Sequence, residues 1–360
     1  MEFSNLPIGQ ILQILRAGKS LGKKELETLA NQELMDPKRT NVFNITWANV
    51  GEIIMERSLL FQSIITEYDK FPLRDNHSLE TLWKLWLPLG IKLANKCQDF
   101  SGPLVQGILG GQGTGKTTLA KILVLILDKL GYKTISISID DIYKTYAERQ
   151  LLQKQDCRLI WRGPPGTHDV SLGMEILDRL RQSENQNSDG LIAIPRFNKS
   201  LFNGAGDRVE PEMVSKVDIV LFEGWFVGVR PVEDKIFDVA RLPPIITEDD
   251  QKFARDMNNN LMEYLPLWER LDGLIVLYPT DYRFSKQWRK QAEQQMIASG
   301  KLGMTDDEVE RFVDYFWLAL HPELFIKPLI KNQEFVDLVI EINSDHSLGN
   351  IYLLGGSTGR

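Results

Sequence analysis

Apolar residues recur along this chain in two regimes. Up to about residue 100 the spacing is helical. Leu79, Leu82, Trp83 and Trp86 fall at i, i+3, i+4 and i+7 behind Ser78, which predicts a helix with Ser78 as its N-cap, and residues 44–68 read the same way. Pro72 predicts a break and Pro88 a kink. Residues 1–100 are therefore expected to form an all-helical N-terminal extension, with the Trp83/Trp86 stripe packed as core. After the turn Ser101-Gly102-Pro103 the pattern changes to short apolar runs alternating with helical ones. Strands are predicted at 105–109, 134–139, 191–194, 218–222, 274–278 and 337–342, and helices at 117–129, 171–181, 282–298 and 305–320. Strands bounded by helices predict an α/β fold with a mostly parallel sheet covered on both faces. The polar stretch 183–190 reads as a surface loop.

Composition narrows the class. With 360 residues, 43% of them apolar and 25% charged, the chain can bury a large core, as two domains or as one large domain with an elaboration. Lysine and arginine total 42 against 49 acids, a net charge of −7, which argues against holding duplex nucleic acid by phosphate neutralisation. Two cysteines, Cys97 and Cys157, can build neither a disulfide framework nor a zinc site. The aliphatic run 122–127 is too short to cross a bilayer, and the first residues lack a basic segment followed by an apolar one. A cytoplasmic chain with no membrane or nucleic-acid partner is expected; its oligomeric state is not legible.

Gly110-Gly111-Gln112-Gly113-Thr114-Gly115-Lys116-Thr117 fits G-x-x-x-x-G-K-[ST], with a predicted strand before it and a predicted helix after it. In such a loop, glycines let successive N–H groups turn inward onto phosphate oxygens, and the helix adds the positive end of its dipole. The fold expected is therefore of the P-loop NTPase type. ATP would lie along residues 110–118, including Thr118, with Lys116 on the β and γ phosphates and the Thr117 hydroxyl on Mg²⁺.

Two further strands deliver acids to the carboxyl edge of the sheet. The run 218–224 ends in Glu223, placed to hold Mg²⁺ or its water. Residues 135–143 alternate so that Ile135, Ile137 and Ile139 point inward and Asp140 and Asp141 follow. One of these acids could accept the proton of an attacking hydroxyl, as a small-molecule kinase requires. An acidic turn capping a helix is the competing account.

Together, G-x-x-x-x-G-K-T, Asp140-Asp141-Ile142-Tyr143 and Leu221-Phe222-Glu223-Gly224 resemble the uridine kinase, phosphoribulokinase and pantothenate kinase branch of P-loop kinases. The resemblance makes Asp140 the catalytic base. The segments Arg162-Gly163-Pro164-Pro165-Gly166-Thr167-His168-Asp169 and Ile194-Pro195-Arg196-Phe197-Asn198-Lys199-Ser200, followed by Asp207-Arg208, look like signature regions of plant and cyanobacterial D-glycerate 3-kinases. That family commonly carries Asp where this chain has Asn198.

The resemblance implies transfer of the ATP γ-phosphoryl to the 3-hydroxyl of D-glycerate in a kinase domain spanning 101–360. Its implied substrate residues are Asp141, Tyr143, Arg162, His168, Asp169, Arg196, Lys199 and Arg208. Arginine forks suit a carboxylate, so Arg162, Arg196 and Arg208 are its candidate ligands. His168 and Asp169 could bond hydroxyls, or His168 could simply brace its loop. Arg283, Lys286 and Arg289 recur every three residues near the start of the 282–298 helix. They resemble the lid of such kinases over 281–300, with Arg289 stabilising transferred charge, although a solvated basic face has the same pattern.

Other acceptors, such as pantothenate, a nucleoside or a sugar phosphate, remain open. A guanine-nucleotide switch is disfavoured, because the nearest string to N-K-x-D, Asn198-Lys199-Ser200-Leu201, lacks the final acid.

Overall fold

The computed structural model describes residues 6–71, 78–182, 190–239, 241–298, 300 and 303–354. The break expected at Pro72 and nearly all of the 183–190 loop lie outside the described residues.

Eight strands occur among the described residues: β1 (Leu104–Gly110), β2 (Thr134–Ser138), β3 (Ile192–Asn198), β4 (Asp207–Val214), β5 (Ile219–Gly224), β6 (Gly273–Pro279), β7 (Leu338–Ile342) and β8 (Leu348–Leu353). Six form one sheet in the order β2-β5-β1-β6-β7-β8, parallel except for the antiparallel edge strand β8. Every residue of β1 and β5 is buried, as expected for central strands covered on both faces. Register levels the strand ends: Glu223 lies opposite both Ile108 of β1 and Ser138 of β2. The P-loop and the acids that follow β2 and end β5 therefore meet at one edge.

The predicted strand at 191–194 forms, but not in the main sheet. It is the start of β3, which pairs only with β4 as an antiparallel ribbon. Pro195 interrupts its donor row, the register shifts between Ile194 and Arg196, and β4 is mostly exposed; such a pair suits a protruding hairpin rather than a sheet interior. The pattern also passed over β8 and the helices Tyr146–Gln155, Glu248–Asn260 and Pro322–Leu329.

One face of the sheet is covered by the helix Val170–Gln182 and by Phe226, Tyr264, Trp268 and Phe325. The helix Lys116–Lys129 covers the other, turning Leu119, Leu123 and Leu127 toward the strands. Its outer side, Ile122 and Ile126, packs into the helical N-terminal part against Phe61 and Trp83. Trp83 is fully buried there and Trp86 half-buried, so the tryptophan stripe is core. The kink expected near Pro88 takes the form of a π-turn over Leu82–Trp86, closed by the Leu87 N–H on the Leu82 carbonyl, before the helix Leu87–Cys97. Proline has no N–H to continue the ordinary register at that point.

Candidate active site

The loop after β1 turns through Gly113 (φ +79°) and Gly115 (φ +83°), left-handed positions that favour glycine. A Cβ on Gly113 would stand 2.6 Å from Cβ of Trp288, so glycine also permits a close approach. Inside the turn, Thr114 is buried and its hydroxyl donates to the Gly111 carbonyl at 2.9 Å. The first intrahelical bond runs from the Leu119 N–H to the Gly115 carbonyl at 2.8 Å. The amides of Lys116, Thr117 and Thr118 precede it, as helix geometry requires, and form a ready anion cradle. Lys116 Nζ rests against the Gly111 carbonyl at 3.5 Å.

This cradle opens into a cleft of about 620 Å³. Gln112, Gly113, Lys116 and Thr117 of the loop line it together with Asp140, Tyr143, Glu223 and Arg289 and with Tyr146, Trp161, Arg162, Lys199 and Gly204. Five cations, counting Arg149, line it with two carboxylates, and Glu293 beside the cleft pairs with one of the five, Arg289, so the cleft is net positive in a chain of net charge −7.

Thr117 Oγ1 donates to Glu223 Oε1 at 2.9 Å, whereas Glu223 Oε2 is buried and has no hydrogen-bond partner. An orphaned carboxylate oxygen beside a hydroxyl, at the mouth of a phosphate cradle, is a donor set suited to Mg²⁺. That ion is commonly held by one or two protein oxygens together with phosphates and water. No cluster of three or more His, Cys, Asp or Glu residues suited to a metal occurs among the described residues.

Asp140 follows β2 in a short 3₁₀ turn, Ile139–Ile142, capped by Ser138 and Asp141. Lys199 Nζ sits 2.5 Å from its Oδ2, and the Tyr143 hydroxyl also bonds to it. Burial pushes the Asp140 carboxyl up, but Lys199, by charge and hydrogen bond, together with Lys116, outweighs burial and holds it below the usual carboxylate range. Asp141 behaves differently. It accepts from the Ser138 N–H at 2.9 Å and pairs with Arg196 at 2.9 Å, and burial leaves its carboxyl above the usual range. Asp141 caps the turn, and Asp140 faces the cleft.

Several residues expected to touch the acceptor are engaged elsewhere and do not line the cleft. Arg196 spans Asp141, Glu212 and the Ser136 carbonyl. Arg208 pairs with Asp169 at 3.0 Å and with the Tyr143 carbonyl. Asp169 also accepts from the Leu172 N–H at the start of a helix. His168 is fully buried behind Tyr143. Asn198 accepts from Ser200 in the hairpin tip. Arg162 and Lys199 do reach the cleft, and Arg162 Nη1 donates to the Gly204 carbonyl.

Of the basic run in the proposed lid, only Arg289 lines the cleft, paired with Glu293 at 2.5 Å. Lys286 bonds Asp314 at 2.8 Å on the helix Asp306–Ala319, and exposed Arg283 bonds Asp281. Pattern reading missed Arg149, which donates to the carbonyls of Lys144, Ala205 and Gly206 and so pins the hairpin tip. It also missed Trp161 and Tyr146, although Trp161 adjoins Arg162 in a stretch already singled out.

A strand, glycine turn and helix with an acid at the end of the neighbouring strand, over a parallel sheet, define a P-loop nucleotide-binding kinase. No family model matches the chain. It is 33% identical over 244 residues to the chloroplastic D-glycerate 3-kinase of Arabidopsis thaliana, covering 64% of this chain and 51% of that protein, so it spans about half the plant protein's length. It is 30% identical over 289 residues to a probable ATP-dependent kinase of Saccharomyces cerevisiae, covering 77% of this chain and 94% of that protein. The structure of D-glycerate 3-kinase from Cryptococcus neoformans superposes with a TM-score of 0.66 at 27% identity, covering 74% of this chain and 97% of that one. The chain belongs to this family of ATP-dependent P-loop kinases, related to D-glycerate 3-kinase. No helix among the described residues is long and apolar enough to cross a membrane.

Proposed function

We propose that the protein transfers the γ-phosphoryl of ATP to the 3-hydroxyl of D-glycerate, giving 3-phosphoglycerate. The observation that carries this reading is the convergence in one cleft of the P-loop, the Asp140 carboxylate and the Arg162 guanidinium. Lys116 and the loop amides hold the phosphates. Thr117 and Glu223 hold Mg²⁺, which when bound neutralises charge on the β and γ phosphates. Asp140 takes the proton of the acceptor hydroxyl as the phosphoryl group moves, and Arg289 and Lys199 meet the charge that develops. With one N–H committed to Gly204, Arg162 keeps donors for the acceptor carboxylate.

The names of the plant and fungal relatives point to the same acceptor. Residues 101–360 act as the kinase domain and residues 1–100 as its helical extension.

The test is ADP release from ATP and Mg²⁺ with D-glycerate, pantothenate, uridine or ribulose 5-phosphate as acceptor. Turnover with D-glycerate well above the other three is expected. Turnover favouring another acceptor overturns the substrate assignment, and stimulation by none of them overturns this acceptor class.

A further inference from the structure

His168 is fully buried, lies outside the cleft lining, and has an Nε2 that is buried without a hydrogen-bond partner. An orphaned polar atom in a core loses its hydration without a replacement bond, so its retention calls for a reason. Its surroundings fix both its tautomer and its neighbour. Nδ1 lies 2.8 Å from the Tyr264 hydroxyl. That hydroxyl oxygen already accepts from the main-chain N–H of Gly166 at 2.9 Å. Nδ1 is the acceptor within reach of the hydroxyl's proton, and donation to it satisfies both the hydroxyl and the ring nitrogen. Nδ1 is therefore the acceptor and Nε2 carries the hydrogen.

The ring stacks on Tyr143 with centroids 4.4 Å apart and planes 20° apart, and the two residues form a β-bridge. Tyr143 in turn bonds Asp140 through its hydroxyl. The groups facing His168 are Asp140, Lys144, Arg149, Tyr143 and Tyr264. Burial outweighs the pull of Asp140 and draws its pKa down to about 3, so the ring stays neutral.

We infer that His168 is a positioning residue for the base: locked as the Nε2–H tautomer by Tyr264, it backs the Tyr143 ring and keeps the Tyr143 hydroxyl on Asp140. The inference rests on Asp140 as the base, and it moves His168 from the acceptor to the scaffold behind the base. A histidine serves where an aliphatic residue would not. It is flat enough to stack, and it accepts the one proton that Tyr264 has left to give.

Two measurements on the full chain test it. In [¹⁵N]histidine-labelled protein without ligands, the ring signal that His168→Phe removes is expected to stay neutral from about pH 8 to about pH 5, with an unprotonated Nδ1 and a protonated Nε2; buried His321, whose Nδ1 accepts from the Glu323 N–H and whose Nε2 faces the Pro243 carbonyl, gives a second signal of that kind that the substitution leaves in place. A removed signal of the other tautomer, or one that titrates near its ordinary value, overturns the inference whatever the acceptor proves to be. The second measurement is a kinetic cycle of Tyr143→Phe, His168→Phe and the double variant, run with D-glycerate or with whichever acceptor the panel selects. His168→Phe is expected to lower kcat about tenfold, leave the acceptor and ATP KM within about twofold, and cost nothing further once Tyr143 is Phe. A raised acceptor KM at unchanged kcat makes His168 a substrate ligand. Additive losses make it a general structural residue, and either result overturns the inference. Should His168→Phe fail to fold, Tyr264→Phe, which removes one oxygen and frees the tautomer, takes its place with the same expectations. Failure of the acceptor assignment is read separately, in the wild-type panel.

Discussion

At the scale of single residues, the site is governed by what surrounds the Asp140 carboxylate. Exchanging it for Asn keeps shape and removes the proton acceptor, so kcat should fall by about 10²–10⁴ while ATP affinity, measured by calorimetry, stays nearly intact. The sign of its pH response follows from its neighbours. Burial raises the carboxyl and the cations lower it, with a net depression dominated by Lys199. The acid limb of kcat/KM in the wild type should therefore fall below the ordinary aspartate value of about 3.9. In Lys199→Met, burial is no longer outweighed, the carboxyl rises, and the limb should move to higher pH. An unmoved limb would show that Lys199 does not set the charge of the base. The sequence located Asp140, Glu223 and the P-loop because each follows a strongly patterned strand. It could not separate Arg162 from Arg196 and Arg208, because which arginine is already paired depends on Asp141, Glu212 and Asp169, brought in by other elements.

At the scale of elements, the helix Phe284–Ala298, expected from the sequence as a lid, is packed against the glycine loop. Trp288 is buried, its indole N–H donates to the Ser344 carbonyl at 2.8 Å, and its Cβ abuts Gly113. Arg289, the next residue, is thereby delivered to the cleft. Lys286 and Lys290 meanwhile lock the helix to its partner Asp306–Ala319. Gly113→Ala combines a left-handed backbone, costing about 1–2 kcal/mol, with a clash against Trp288. It should weaken ATP binding by about tenfold or more, with helix content unchanged by circular dichroism; retained affinity would show that the contact gives way easily. Periodicity predicted the helices Phe284–Ala298 and Asp306–Ala319 because each has an apolar stripe. It found only the start of β3 and missed β4, because β4 is mostly exposed and the tip of the ribbon is fixed by Arg149 and Arg162 donating to main-chain carbonyls, which leaves no hydrophobic pattern.

At the scale of the molecule, the helical N-terminal part and the nucleotide site share one helix. Lys116–Lys129 begins in the phosphate cradle, turns Leu119, Leu123 and Leu127 to the sheet, and turns Ile122 and Ile126 to the N-terminal core. A close approach falls at Gly90 in the helix Leu87–Cys97, where an added Cβ would stand 2.4 Å from Ile126 Cγ2. Overpacking such a contact costs about 1–3 kcal/mol, because helix backbones in a close-packed interior yield little. Gly90→Ala should therefore lower the thermal midpoint and, by displacing the helix that carries Lys116 and Thr117, weaken ATP binding as well. The clash belongs to one methyl group. Ile126→Ala alone leaves a cavity costing about 2–5 kcal/mol, but it also vacates the space that the Gly90→Ala methyl needs. The double variant should then be more stable than the sum of the two single losses predicts, with the coupling read from chemical denaturation. Strict additivity would mean that the N-terminal helices merely lie against the kinase core. Positive coupling accompanied by recovery of ATP affinity would mean that they set the position of the phosphate cradle from behind.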